Sequence, residues 1–500
     1  MPQARREPAV ADPAGGDAGG ADGLPLVTNI APGVGSAETG SGRPGDVESP
    51  SRLIRMFGSV DFFRLWVAQV LSSTGDWIGF VAIVALATRL EGAASGAAAV
   101  GVVMSARLIP GFFFAPVAGV LVDRWDRKRV MVCCDLARGA VLATLPFVDT
   151  LWGLVVASLA LEVATLLWSP AKEASVPNLV PPSHLTTANS LSLAAAYGTF
   201  PVASLLFAGL AKVAEWLSGF ETLDFLRLTE ESVAFYFDLL TFVGSAAIIS
   251  RLNLTSNRLA KTTPRTRILL RFDFSSAFRD VREGWRFMFS TPTVRAVMVS
   301  LSTGLIGGGM VVPLGDVFSR QVLGGGSAGF GLLLSALGFG MAAGVLVLSA
   351  VERRLPKTQV FTAAVFGAGL SLVAGASMSS LTPAMLCVSM LGLCAGAVYV
   401  LGFTILHESV ADELRGRIFA SLNTLVRFCL LLAFAVGPLI ADRLGALSHD
   451  LLDDSIGIGS NSISLPGVRL ALWLAGSIIV AAGFLAVWTL RSARSEPVGE

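Results

Sequence analysis

Charge is scarce in this chain. Only 15% of its 500 residues are Asp, Glu, Lys or Arg, 53% are hydrophobic, and the mean hydropathy is +0.69. Soluble domains carry about 25% charged residues. That excludes an ordinary water-soluble globule and implies an integral membrane protein with many spans. The formal net charge of +1 leaves no electrostatic footprint for nucleic acid. Cysteine and histidine are also sparse. Cys133, Cys134, Cys387, Cys394 and Cys429 all fall in apolar runs and form no CxxC pair, which suits small buried packing residues. With His184, His407 and His449 as the only histidines, no metal-ligand spacing arises, and neither a metal nor another cofactor is expected. There is no catalytic triad and no phosphate-cradling GxxxxGK[ST] loop, which argues against an enzyme. Residues 1 to about 50 are Gly, Ala, Pro, Ser and acidic residues, nearly without aromatics. They cannot bury enough surface to order themselves, and they lack the apolar core of a signal peptide.

Long apolar runs fill the rest. A helix needs about 20 apolar residues to cross a hydrocarbon core of about 30 Å. Such runs predict twelve spans: 63–89, 97–122, 130–149, 151–172, 188–212 and 233–250, then 293–318, 328–351, 358–378, 381–407, 415–441 and 467–490. A transmembrane barrel would need alternating strands of about ten residues, so the fold class is all-α and integral to the membrane. The expected division is a disordered cytoplasmic tail over 1–55, a six-helix bundle over 56–251, a cytoplasmic linker over 252–292, a second six-helix bundle over 293–491 and a short cytoplasmic tail over 492–500. Within the linker, "DFSSAFRDVREGWRFMF" (273–289) reads as an amphipathic helix lying on the inner leaflet, with a partner-binding helix as the alternative.

The loops alternate in charge. The N-terminal tail, "DRWDRKR", the linker, "ERRLPK", "DELRGR" and "RSAR" are rich in Arg and Lys. The intervening set, including 213–232 and 443–466, is acidic or neutral. The positive-inside rule then places both termini in the cytoplasm.

The chain also reads as a duplication. "SVPNLVPPSHLTTANSL" (175–191) aligns without gaps on "SVADELRGRIFASLNTL" (409–425), "LSSTGDW" (71–77) resembles "SLSTGLI" (300–306), and "SARLIPG" (105–111) resembles "SALGFGM" (335–341). The separation is about six spans. Two pseudo-symmetric six-helix halves form a transporter architecture with its site near the midplane.

The charged stretch "GVLVDRWDRKR", Gly119 to Arg129, carries a resemblance. Gly119, Asp123, Arg124, Arg127 and Lys128 resemble the signature loop between the second and third helices of the major facilitator superfamily: a Gly, an Asp four residues on, then Arg, Gly and a basic pair. Asp126 stands where that pattern has Gly, a departure several exporter branches tolerate. "DLARGA" (135–140), the segment from Ser175 and "ELRGRIFA" (413–420) resemble the bacterial branch of macrolide and enterobactin exporters. They also resemble the membrane half of transporter–thymidylate kinase fusions, although without a phosphate loop no kinase half is expected. The resemblance covers roughly residues 55–490. It implies alternating access and a cytoplasmic latch that closes the outward-open state. In that latch Asp123 would cap the end of the eleventh helix, and Arg127 would pair with an acid on the fourth helix or with Asp135.

Ionisable residues within spans are costly and are functional candidates. At about 1.5 Å per residue Asp76 lies roughly 20 Å into the first span. Arg107 and Glu162 fall near mid-depth, as does Arg427 in the other half. Asp135 and Arg138 lie three apart on one helix face. The aligned repeat has Leu305 for Asp76, Leu337 for Arg107, and Val365 and Ala368 for the last two. The buried charge is therefore expected almost wholly in the first half. On this reading Asp76 and Glu162 include a proton-coupling carboxylate tuned by Arg107 and Arg138, with Arg107 acting on Asp76. A static buried ion-pair network is the alternative.

The function expected is proton-coupled efflux of small apolar or amphipathic molecules, such as drugs or siderophores, by a monomer in the bacterial inner membrane. The alternatives are an uptake permease or lipid-type transporter of the same fold, or a non-transporting scaffold or sensor.

Overall fold

A computed structural model of the chain describes residues 52–122, 124–220, 225–252, 292–351, 356–410, 412–452, 455–458 and 461–495. Its twelve apolar spans are α1 (Val60–Gly92), α2 (Ser95–Phe113), α3 (Arg127–Phe147), α4 (Leu151–Asn178), α5 (Pro182–Leu217) and α6 (Glu230–Ser250), then α7 (Val297–Gln321), α8 (Gly326–Ala350), α9 (Lys357–Ser377), α10 (Leu381–Ser409), α11 (Ser421–Leu451) and α12 (Gly467–Trp488). Most of the expected linker and its amphipathic helix, and the tail before Arg52, lie outside the described residues.

Local chemistry sets the helix starts. Side-chain oxygens of Ser59, Asp126, Thr150 and Thr229 accept from backbone N–H groups three residues on, at the starts of α1, α3, α4 and α6. Each satisfies a donor that the first helical turn leaves open. Gly92 adopts φ 73° between α1 and α2, a conformation that costs glycine little. The expected second span, 97–122, is divided: α2 ends near Phe113, and a separate helix, Ala115–Val122, carries the chain to the loop before α3. A short helix at Arg52–Phe57 precedes α1, so helical structure begins within the expected tail, and Phe57 packs on Phe62, Phe63 and Trp66.

The spans run alternately between two sides. One, here the basic side, holds the loop before α3; the other, the acidic side, holds the α1–α2 and α5–α6 connections. Helix ends do not coincide with hydropathy ends. The helix containing α11 runs Asp412–Leu452, so the expected insert 443–466 is helical up to Leu452. Two short antiparallel strands, Ser455–Ile458 and Asn461–Ser464, follow it.

The described residues fall in one compact unit. Lipid tails are as apolar as leucine, so close backbone approach must hold such helices together. The packing of α8 on α10 shows this. Gly340 and Gly344 face the backbone of Ser389 and Leu393, while Gly392 and Gly396 face that of Leu337 and Met341. A Cβ on Gly392 would lie 2.1 Å from the Leu337 carbonyl oxygen. Gly392→Ala is expected to cost about 1–3 kcal/mol or more through overpacking, read as a lower unfolding midpoint in detergent.

Among the described residues, contacts between the six spans before the linker and the six after it include three seams. Gly101 of α2 lies against Phe434 and Pro438 of α11, Ser335 of α8 donates to the Pro201 carbonyl of α5 at 3.0 Å, and α1 meets α7 near Thr88 and Asp316. These seams lie between mid-depth and the acidic side.

Candidate transport site

The two most enclosed spans, α1 and α6, each bring an aspartate to one place. Arg138 of α3 stands at its centre. Its Nη1 donates to both carboxylate oxygens of Asp76 at 3.2 Å; its Nη2 donates to Asp135 Oδ1 and reaches Ser72 Oγ at 3.5 Å. Ser245 of α6 donates to the other Asp135 oxygen at 2.7 Å. The guanidinium lies 4.2 Å from the Phe242 ring centroid and 5.4 Å from that of Trp168, a cation–π setting. Arg138 and Asp135 are 1% and 0% exposed, whereas the Asp76 side chain is 40% exposed. One guanidinium therefore joins an enclosed carboxylate to an accessible one.

Asp238 of α6 completes the group. It is buried, and Thr241 donates to its Oδ1 at 3.1 Å. Glycines make the room: a Cβ on Gly75 would come within 2.0 Å of Asp238 Oδ1, and one on Gly79 within 2.5 Å of Oδ2. The motif "TGDWIG" thus seats two carboxyls on adjacent faces of α1.

Arg107 lies 3.8 Å from Glu162, from α2 to α4, while the ion pair of Asp76 is with Arg138. Nη1 of the α3 arginine takes both carboxylate oxygens of Asp76, and Arg107 lies beside Glu162. Arg427 of α11 presses on α2, with Nη1 2.2 Å from where a Gly111 Cβ would stand, and Glu162 lies within its electrostatic reach. Glu162 and Arg107 thus occupy the boundary with the second half.

The basic loop departs from its expected pairing. Asp123 lies outside the described residues. Arg127 donates to the Ala174 carbonyl at 2.6 Å rather than to an acid, because Asp135 is already held by Arg138 and Ser245. Lys128 donates to the Leu252 carbonyl at 2.9 Å. Both anchor the loop within the first half. Arg124 is exposed, and the space beside Gly119 is open.

A third cluster, which the sequence reading omitted, bridges the halves on the acidic side. Glu231 of α6 lies 3.2 Å from Arg89 of α1 and 3.7 Å from Arg320 of α7, and Arg320 Nε donates to the buried Asp316 at 2.9 Å. A cavity of about 300 Å³ opens among Arg89, Glu215, Glu230, Glu231 and Arg320. Buried charge is therefore not almost wholly a first-half property, since Asp316 and Arg320 belong to the second. Asp238 and Asp316 were visible as charges within expected spans 233–250 and 293–318. Glu231 fell two residues outside its expected span and so read as loop.

Removing Arg138 leaves Asp135 enclosed without its cation. Arg138→Gln is expected to destabilise the protein by about 3–5 kcal/mol, and Asp135→Asn with Arg138→Gln to recover part of that loss. Thermal unfolding of both variants in detergent checks the difference.

The family model described as Major Facilitator Superfamily matches residues 65–433. The chain belongs to the major facilitator superfamily. As a member it is a multi-pass membrane transporter of small molecules rather than an enzyme. Among its relatives, Macrolide efflux protein A of Streptococcus pyogenes is 24% identical, over 79% of this chain and 93% of that protein. Multidrug efflux pump Tap of Mycobacterium bovis (strain BCG / Pasteur 1173P2) is 25% identical, over 81% and 89%. Among solved structures, a bacterial homologue of the human lysosomal transporter Spinster, inward-facing and unoccupied, aligns with TM-score 0.65 at 16% identity, covering 88% of this chain and 99% of that one. The nucleoside transporter NupG aligns with TM-score 0.61 at 13% identity, covering 86% and 99%. Both share the superfamily fold.

Proposed function

We propose that this superfamily member is a proton-coupled exporter of small apolar or amphipathic molecules, working as a monomer in the bacterial inner membrane with both termini in the cytoplasm. The observation that carries the reading is the first-half cluster, in which Asp76 and Asp135 hold one guanidinium and buried Asp238 lies within its electrostatic reach. Such a group holds more acid than base. In a low-dielectric interior unpaired charge is expensive, and a proton is the smallest counter-ion that relieves it. Arg138 is shared, so a proton arriving on accessible Asp76 frees the guanidinium for other acceptors. Loss of that proton draws it back. The exchange gives transport a switch, provided the two states differ in which side Asp76 faces.

The seams described above join the halves from mid-depth to the acidic side, and we read this arrangement as inward-facing. Efflux as the direction rests on the relatives named as macrolide and multidrug pumps, at 24% and 25% identity. The test is transport into inverted membrane vesicles containing the chain, with a panel of macrolides and other amphipathic drugs. Accumulation of at least one compound that collapses with a protonophore is expected. Accumulation unaffected by the protonophore would refute proton coupling, and movement only out of inverted vesicles would refute efflux.

A further inference from the structure

We propose that a groove between α3 and α4 on the basic side binds one anionic phospholipid, with an acyl chain along the groove and the phosphate between Arg124 and Arg129. The groove is a cavity of about 880 Å³. Along α3 it is lined by Val130, Cys133, Cys134 and Ala137, spaced three and four apart so that they share one face. On α4 small Ala160 and Ala164 open the space. These walls are apolar apart from the Cys133 and Cys134 thiols.

The mouth differs. Arg124, Trp125, Asp126 and Arg129 line it, and all four are exposed. The Asp126 carboxylate is engaged by the Arg129 backbone N–H at 3.0 Å as the α3 cap. Arg127 and Lys128, the intervening cations, are committed to backbone carbonyls inside the first half. Among the described residues, the Arg124 and Arg129 side chains make no ion pair. Among the described residues the rim sets two arginines against one aspartate. A half-exposed tryptophan beside them marks the headgroup level, where such rings collect.

The length of the groove selects its occupant. Ala137 lies ten residues beyond Arg127, about 15 Å at 1.5 Å per residue, which is half of an approximately 30 Å hydrocarbon core. A slot that ends at the bilayer midplane and opens on arginines at the surface matches one leaflet's lipid: apolar chain inside, anionic phosphate at the rim. Guanidinium forks suit phosphate oxygens.

The test is native mass spectrometry of the full chain in detergent, titrated with phosphatidylglycerol and phosphatidylcholine of identical acyl chains. One phosphatidylglycerol is expected to bind in preference to phosphatidylcholine. In Arg124→Gln/Arg129→Gln the preference should fall roughly thirtyfold, from about a fivefold contribution per cation near the surface. Ala160→Phe, which fills the slot, should abolish retention of both lipids while the unfolding midpoint stays within a few degrees. Glycerol phosphate, a headgroup without chains, should not compete. Equal retention of the two lipids, an unchanged ratio in the double variant, retention by Ala160→Phe or competition by glycerol phosphate would each overturn the assignment.

Discussion

Asp76→Asn is expected to abolish uphill transport driven by a pH gradient, down to the level of protein-free vesicles, while downhill exchange of the same compound persists. The amide keeps the size of the side chain and part of its hydrogen bonding to Arg138, but cannot gain or lose a proton. Asp76 is the accessible member of the cluster, so it is the carboxyl through which a proton from outside would meet the buried network. Asp135, walled in between Arg138 and Ser245, has no such route. Asp76→Glu keeps an ionisable group at altered reach and should retain partial activity. Transport at several pH values on the two variants separates the cases. Native uphill rates in Asp76→Asn would make the residue structural and move the coupling role to Glu162, which faces Arg107 and Arg427 at the boundary between halves.

The second large effect concerns the acidic-side cluster. Glu231 is the hinge pin of that seam: one carboxylate from the first half spans Arg89 of its own half and Arg320 of the other. Glu231→Gln removes both attractions at once. Both contacts are ion pairs without a hydrogen bond, and both arginines are partly exposed, so about 1–2 kcal/mol in total is the fitting range. The ratio of states open on the acidic side to closed should therefore rise roughly five- to thirtyfold. Distance distributions between spin labels on the acidic ends of α1 and α7 read this directly, and Arg89→Gln, which leaves the inter-half contact in place, should shift them less. An unchanged distribution in Glu231→Gln would deny the seam any part in setting the equilibrium.

Twelve spans were legible because hydrocarbon thickness imposes a length of apolar sequence that nothing else in the chain imitates. Hydropathy marks the membrane, however, and not the helix. Asp442, Arg443, His449 and Asp450 read as loop, yet backbone hydrogen bonding carries the helix past them to Leu452. The candidate charges were legible for a similar reason, since each breaks an apolar run. Their pairing was not. Asp135 and Arg138 pair within one helix, so their spacing of three gave the contact away. Asp76 could have met α2 or α3. Which one depends on how α1 is rotated in the bundle, and that is set partly by Gly75 and Gly79 admitting Asp238. Asp238 lies outside the aligned repeat segments, so no apolar counterpart singles it out. The inter-half role of Glu231 required knowing that α1, α6 and α7 converge at one end, which no single span encodes.

The central claim is that protons exchange at the first-half cluster as substrate moves. Proton counting on the purified transporter tests it most directly: a weakly buffered, dye-reported solution of the wild-type chain and of Asp76→Asn, each titrated with a compound that the wild type transports. The account predicts release of protons on binding to the wild type, diminishing as pH rises and the cluster is already deprotonated, and a clearly smaller release from Asp76→Asn. Binding with no proton release from the wild type at any pH, or the same release from both proteins, would contradict it.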